Sequence, residues 1–361
     1  MLTVLMIDDD VDVTATIRDY FEENVPDVSF HSQIDFDQGL LDLRRIRPHV
    51  LILDVFHGNP ATGDAAGEAI WTNVWNTWFC PLVVYTAGEA DFETPVPDNH
   101  PFVTVVSKGP GTEQQIAAHA VAYRTHAEAL HEVADNIERV THSVLKNLAP
   151  QLFAADQNVD ARRDTLVRAA RRRVAAMMDE ASGDQKLHSW EQYVFPVVTT
   201  HPLTGDILRL AEGDPKLPES FRVILTPTCD IAAKKVTNIV VGQCTNHTEF
   251  ITKGIGLAAN TGKGKIKERL PAALNEAHQS GFVLLPACPG LTPMMALNLR
   301  DVELLPLASV GQQYVRVATL DSPFREFLAW GFLQIGCRPG VPPRDNTSLI
   351  DAITAVWGQQ A

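Results

Sequence analysis

Four continuous apolar runs mark the first 110 residues, and each ends abruptly in polar side chains. Val4-Leu5-Met6-Ile7 runs into Asp8, Asp9 and Asp10. Val50-Leu51-Ile52-Leu53 runs into Asp54, Leu82-Val83-Val84-Tyr85 into Thr86, and Phe102-Val103-Thr104-Val105-Val106 into Ser107 and Lys108. Short runs rich in β-branched residues, with no polar alternation, predict strands buried on both faces of a parallel sheet. A shorter strand is expected at Val28–His31. Helical periodicity lies between the strands, at about 12–24, 36–46 and 65–78. In the last of these, Trp71, Trp75 and Trp78 recur at helical spacing and predict the face packed on the sheet. Alternating strand and helix predicts a doubly wound, five-stranded parallel α/β domain over residues 1–111.

The pattern then changes. Residues 112–149 lack Pro and Gly, and a seam at Ala120, Tyr123, Ala127, Leu130, Ala134, Ile137, Thr141, Val144 and Leu148 alternates in steps of three and four. This predicts one long helix, ended by Pro150, whose seam pairs with another helix or with a second copy in a homodimer. A second helix is expected from Asp160 to Ala181, with Arg171, Arg172 and Arg173 on its outer side. Residues 112–185 thus read as a helical connector or hairpin. From about Ser189 onward the apolar runs are short and separated by Pro and Gly: Val194–Thr199, Asp206–Leu210, Arg222–Thr226, Asn238–Gly242, Phe282–Pro286, Val302–Leu307 and Tyr314–Thr319. Helices are expected at Leu270–Gln279, Pro323–Leu333 and Leu349–Trp357. Residues 186–361 are therefore read as a β-rich domain, α+β or a small barrel.

Charge divides the chain unevenly. Of the net −14, residues 1–185 carry −15 (14 basic, 29 acidic) and residues 186–361 carry +1 (16 basic, 15 acidic). An acidic first half repels phosphate backbones, and no helix-turn-helix pattern is present, so nucleic acid is not an expected partner. The longest apolar stretches fall short of the roughly 18 residues a membrane helix needs, and the first residues lack a secretory pattern. Five scattered cysteines predict reduced thiols and a cytoplasmic protein.

The polar residues ending the apolar runs acquire a common place. In an open parallel sheet, ligands bind outside the carboxyl ends of the strands. Asp8, Asp9, Asp54, Thr86 and Lys108 all stand there, from four different strands. Clustered carboxylates repel one another and need a counter-charge. Mg²⁺, a hard cation that prefers oxygen ligands, suits Asp8, Asp9 and Asp54. Asp54 is then the candidate nucleophile, Lys108 its ion-pair partner and Thr86 a hydroxyl able to bond a transferred phosphoryl oxygen.

This layout resembles the receiver domain of two-component signalling, a flavodoxin-like fold, over about residues 1–125. The motifs are Asp8-Asp9 after the first strand, Asp54 after the third, Thr86 after the fourth and Lys108 after the fifth. The resemblance implies that Asp54 accepts a phosphoryl group from a partner histidine kinase in the presence of Mg²⁺. It also implies that the backbone carbonyl of Phe56 joins the metal ligands. Departures lie on the usual output side: Lys108 is followed by Gly109 before Pro110, Val105 stands where an aromatic switch residue is usual, and Pro95, Pro97 and Pro101 interrupt the fourth helix.

Beyond the receiver-like part, His126, His131 and His142 lie on the long helix, and His142 is the candidate for phosphoryl relay. Its alternative is a solvated or interface histidine. Thr226-Pro227-Thr228-Cys229-Asp230 is the most distinctive string of the second half. Cys229 and Asp230 are candidate catalytic residues there, and Cys244, Cys288, His201 and His247 candidate ligands. The alternative is three cysteines acting as small apolar residues. The stretch from Gly262 to Arg269 is basic but is not a phosphate-binding loop, and reads as a solvated loop. In general layout this half is similar to modules attached to receivers in bacterial antiphage two-component systems of the Detocs type, which implies a defence regulator. The function expected is a phosphorylation-controlled adaptor or phosphate sink rather than an enzyme. The alternative is a phosphorylation-gated effector enzyme with its active site in the C-terminal domain.

Overall fold

A computed structural model describes residues 1–54, 73–87, 100–155, 159–178, 186–258, 260–275, 281–336 and 346–357. The chain divides into two compact units, Met1–Gly183 and Asp184–Ala361.

The first unit contains β1 (Leu2–Ile7), α1 (Val11–Asn24), β2 (Val28–Gln33), α2 (Phe36–Ile46), β3 (Val50–Leu53), β4 (Leu82–Thr86), β5 (Val103–Ser107), α3 (Glu113–Ala155) and α4 (Val159–Met178). The strands form one sheet in the order β2-β1-β3-β4-β5, every pairing parallel. This is the doubly wound arrangement expected, with its switch point between β1 and β3. Alternate residues of each strand serve opposite faces. Val4, Met6, Ile52, Val83 and Tyr85 pack with Ile17 and Phe21 of α1. Leu5, Ile7, Leu51, Leu53, Leu82 and Val84 pack with Phe36 and Leu43 of α2 and with Val74. Both faces are covered, which is why the strand sequences show no polar alternation. Gly39 lets α2 lie close on β1: a Cβ there would stand 2.7 Å from Ile7 Cδ1. Of the helix expected at 65–78, residues 73–77 are helical, and Trp75 and Trp78 pack on the second face as expected. Trp71 lies outside the described residues.

Two features of α3 differ from the sequence reading. Its first turns belong to the sheet's own core: Ile116, Ala117 and Ala120 are buried with Val106 and Phe21. The helix thus covers the sheet before it becomes a connector. It also runs through Pro150 to Ala155. Proline removes one N–H and crowds the preceding turn, yet one such loss near a helix end does not stop it. α4 packs against α3.

The second unit is built on a seven-stranded antiparallel sheet. Its strands are β6 (Tyr193–Val194), β7 (Asp206–Leu210), β8 (Phe221–Ile224), β9 (Asn238–Asn246), β10 (Phe282–Leu285), β11 (Met295–Pro306) and β12 (Tyr314–Leu320), in the order β10-β11-β9-β8-β7-β12-β6. No pairing among the described residues joins β10 to β6, so of the two expected architectures the sheet takes the open α+β form. Its helices include α5 (Thr228–Ala232), α6 (Lys263–Asn275), α7 (Phe324–Gly336) and α8 (Asn346–Trp357). The solvated loop expected at Gly262–Arg269 is instead the start of α6. Expected strand bounds fail where Pro or Gly was read as punctuation. β6 stops before Pro196, which lacks a ladder donor. β9 continues past Gly242, where a Cβ would lie 2.6 Å from Leu297 Cδ1, so the glycine serves close packing rather than a turn. One buried ionic network ties the unit together. Asp206, fully buried, accepts from Arg316 Nε at 2.7 Å, Thr319 Oγ1 at 2.5 Å and Leu203 N at 2.8 Å. The Arg316 terminal nitrogens donate to Thr199 O and Oγ1, both at 2.7 Å.

Candidate functional site

Parallel register places the strand ends side by side. Ile7 pairs with Leu53, so Asp8 and Asp54 leave adjacent strands together, and Asp54 N donates to Ile7 O at 2.9 Å. Thr86 and Ser107 pair at the ends of β4 and β5, and Lys108 N donates to Thr86 O at 2.9 Å. The crevice therefore gathers Asp8, Asp9, Asp54, Thr86 and Lys108. Asp8 and Thr86 are fully buried and Asp54 nearly so.

Lys108 is the electrostatic centre. Its Nζ lies 2.7 Å from Asp54 Oδ2 and 2.7 Å from Asp8 Oδ2. Burial works against the ammonium, but its hydrogen bonds and Coulombic attraction to the two carboxylates outweigh that and hold its pKa above the ordinary lysine value. Asp8 shows the converse balance. Burial raises its pKa, the repulsion of Asp54 adds to this, and Lys108 and the Asp10 amide only partly offset it.

One carboxylate oxygen on each of Asp8, Asp9 and Asp54 lies within 4.8 Å of the others, the one such group of potential metal ligands among the described residues. Oxygens around Mg²⁺ stand at about 2.0–2.1 Å from the ion in an octahedron, so neighbouring ligands sit roughly 3 Å apart and opposite ones about 4 Å. Shifts of an ångström or so would close the carboxylates to that spacing. Asp8 Oδ2 is buried and faces the Lys108 ammonium at 2.7 Å. Three ionised carboxylates and one ammonium also leave the crevice at −2, which a divalent cation neutralises. Donor type, spacing and charge all fit Mg²⁺. Phe56, the expected carbonyl ligand, lies outside the described residues.

Sequence reasoning missed Tyr85, although an aromatic directly before Thr86 was legible. Its ring centroid is 5.6 Å from Lys108 Nζ, and its hydroxyl bonds Thr112 Oγ1 at 2.8 Å. Thr112 Oγ1 in turn donates to Gly109 O at 2.7 Å, so Tyr85 connects the crevice to the start of α3. Val105 packs on the second face of the sheet, as a β5 residue should.

The other candidates do not converge. His142 is 71% exposed on α3 and lies 4.0 Å from Glu138. His131 stacks on His49, ring centroids 3.9 Å apart, and His126 meets the edge of Phe102. Cys244 and Cys288 are core residues, and burial pushes the Cys244 thiol up to about 12. Cys229 is exposed on α5, its Sγ 3.8 Å from Asp230 Oδ1, which also pairs with Lys235 at 3.2 Å. Among the described residues, neither His201 nor His247 joins these cysteines in a metal-binding group.

No family model matches the chain, and no curated protein matches it. Solved structures do. The response regulator domain of CheB from Thermotoga maritima is 13% identical, with 35% of this chain and 96% of that chain covered and a TM-score of 0.27. A response regulator receiver domain protein from Clostridium thermocellum is 16% identical over 36% of this chain and 99% of that one, TM-score 0.29. The receiver domain of Francisella response regulator 1452 is 17% identical over 35% and 98%, TM-score 0.26. The strand order and parallel register define the fold of the first unit independently of these likenesses. No described helix is long and apolar enough to cross a membrane.

Proposed function

We propose that the protein is a response regulator whose Asp54 accepts a phosphoryl group from a partner histidine kinase. The observation that carries this reading is Lys108 Nζ standing 2.7 Å from both Asp54 and Asp8, within a three-carboxylate crevice. An Asp54 oxygen attacks phosphorus, and the bond from phosphorus to the donor nitrogen breaks with its electron pair leaving on that nitrogen. The product is an acyl phosphate. Lys108 is already paired with the nucleophile and, keeping its charge, pairs with a phosphoryl oxygen as that oxygen arrives. Thr86, at the adjacent strand end, supplies a hydroxyl to another. Asp8, Asp9 and Asp54 would hold Mg²⁺, with the carbonyl of Phe56 as a further proposed ligand. The ion supplies charge neutralisation for the phosphoryl group.

Incubation with acetyl phosphate and Mg²⁺ should add one phosphoryl mass to the wild type and none to Asp54→Asn. An unmodified wild type, also after incubation with its cognate phosphorylated histidine kinase, defeats the proposal.

The output proposed is that of an adaptor or phosphate sink. The effector-enzyme alternative has less support, because Cys229 is solvent-exposed, its side-chain partner among the described residues being Asp230, while Cys244 and Cys288 are buried. A homodimer through the long helix α3 is supported by Val133 and Ile137, apolar side chains 58% and 42% exposed. Light scattering giving a monomer at micromolar concentration refutes the dimer. A defence role is tested by phage plating on cells carrying wild type or Asp54→Asn. Equal plating on both removes it.

A further inference from the structure

The second unit holds an apolar cavity of about 660 Å³ that phosphoryl transfer does not use. At about 30 Å³ per molecule this is room for roughly twenty waters, within the size range of small-molecule sites. Its walls come from three elements: Leu270 and Leu274 on α6, Phe282 and Leu284 on β10, and Phe324 and Phe327 on α7. At its mouth Leu187 and Met294 remain 67% and 45% exposed. Apolar side chains left in water around an apolar cavity mark a surface that gains from being covered.

The polar groups are few and share one chemistry. His188, Ser189 and Gln192 come from a single turn. Gln192 Nε2 is buried and meets the neighbouring Tyr193 hydroxyl, which itself donates to Pro286 O at 2.8 Å, in a poorly aligned hydrogen bond. A buried amide with a poorly aligned bond and a second N–H to place favours a ligand that brings an acceptor. Among the described residues lining the cavity there is no Asp or Glu. Lys267 and Lys263 stand three and seven residues before Leu270 on α6, hence along its cavity-lining face, and both are exposed. With Lys265 and Arg269 against Glu268, this end of α6 carries +3.

We propose that the cavity binds an anionic single-chain amphiphile. Its alkyl chain would lie among Leu270, Phe282, Phe324 and Phe327, and its carboxylate or phosphate head would accept from Gln192 in the field of Lys263 and Lys267. Burial of the chain supplies affinity, and the under-satisfied amide and the lysines select a negative acceptor over a neutral or cationic head.

The test is calorimetric titration of the full-length protein with dodecanoate, dodecyl phosphate and dodecanol, each below its aggregation concentration. Expected are one site per chain, a negative heat-capacity change, and weaker binding of both anions as salt rises. Dodecanol should bind at least ten-fold more weakly. The ratio of the two anions distinguishes a fatty-acid source from a phosphate-headed one. Ala273→Trp, which fills the cavity, should reduce binding more than ten-fold. Gln192→Leu should weaken the anions roughly ten-fold and leave dodecanol unchanged. If Ala273→Trp does not fold, a photoreactive fatty acid on the wild type should label peptides of α6, β10 or α7. Non-saturating binding, full binding by folded Ala273→Trp, or labelling confined elsewhere overturns the proposal. So does absence of dodecanoate binding together with equal sedimentation of wild type and Ala273→Trp on phosphatidylglycerol vesicles, which would assign the basic end of α6 to a membrane surface.

Discussion

Replacing Lys108 by methionine keeps the length of the side chain and removes its charge. Its partners are Asp8 and Asp54, whose side chains are 0% and 6% exposed, while Lys108 itself is 17% exposed. Removing one member of a buried ion pair typically costs about 3–5 kcal/mol, because the remaining charge stays buried without compensation. The solvent contact that Lys108 keeps places this case near the lower end, about 3 kcal/mol, since water can reach the carboxylates once the ammonium is gone. Whole-chain melting would mix the two units, so the suitable assay is hydrogen exchange of amides in β1 and β3, which reports opening of the first unit alone. At 1.4 kcal/mol per decade, a loss of 3 kcal/mol speeds exchange about 100-fold in chelator-treated buffer. Mg²⁺ should then slow exchange more in Lys108→Met than in the wild type, since the variant crevice carries one more uncompensated negative charge. At 100 times its dissociation constant, a ligand restores about 2.7 kcal/mol. Less than a five-fold change without metal, or an equal Mg²⁺ effect on the wild type and Asp8→Asn, would refute the electrostatic account of this crevice.

Three further outcomes follow from the same geometry. Thr86→Ala should still take up phosphate on Asp54, while protection of the β4 and β5 amides should no longer change on phosphorylation; an unaltered exchange response would remove Thr86 from the switch. His49 has a pKa below the ordinary histidine value, chiefly from burial and then from its stacking partner His131. The folded state therefore binds its proton less readily than the unfolded chain, and the stability involved is complete above about pH 6.5 and lost as pH falls through the folded value. Protection of β3 amides should drop below pH 6.5 in the wild type and less steeply in His49→Gln; parallel profiles would contradict this. Asp206→Ala strands the guanidinium of Arg316 and should cost about 3–5 kcal/mol in the second unit, measured by exchange of β7 and β12 amides, whereas Asp206→Asn, which keeps an acceptor for Thr319, should cost less.

The accuracy of the sequence reading varies with the range of the interactions involved. Strands β1, β3, β4 and β5 were legible because a strand buried on both faces leaves an uninterrupted apolar run. Asp8, Asp9, Asp54, Thr86 and Lys108 were legible because the polar residue ending each run must lie at the carboxyl edge of a parallel sheet. Their convergence follows from strand order, and an order of β2-β1-β3-β4-β5 is what short right-handed connections favour. Tyr85 was visible as a residue, but its place under Lys108 and beside Thr112 was not, since that depends on how α3 starts. The fate of α3 as a cover for the sheet was hidden for a similar reason: its apolar spacing suits a helical partner and a sheet equally well.

In the second unit local signals were weaker guides. Gly242 and Pro196 are the same kind of punctuation in the sequence, yet one sits within a nine-residue strand and the other follows a two-residue one. What separates them is the neighbour each faces. Asp206 and Arg316 are 110 positions apart and carry no local mark of being partners. Cys229 and Cys244 looked alike until burial put one in solvent and the other in the core.

By itself the sequence determined the strands of the first unit, the polar group at each strand end and the acidic balance of that half, because these depend on neighbours a few residues away. Only the tertiary structure decided that Lys108 bridges two buried carboxylates, which of the described cysteines are reachable, and that apolar elements line a cavity beside a buried amide. Those facts depend on distances between residues far apart in the chain, which are fixed when packing brings their elements together and not before.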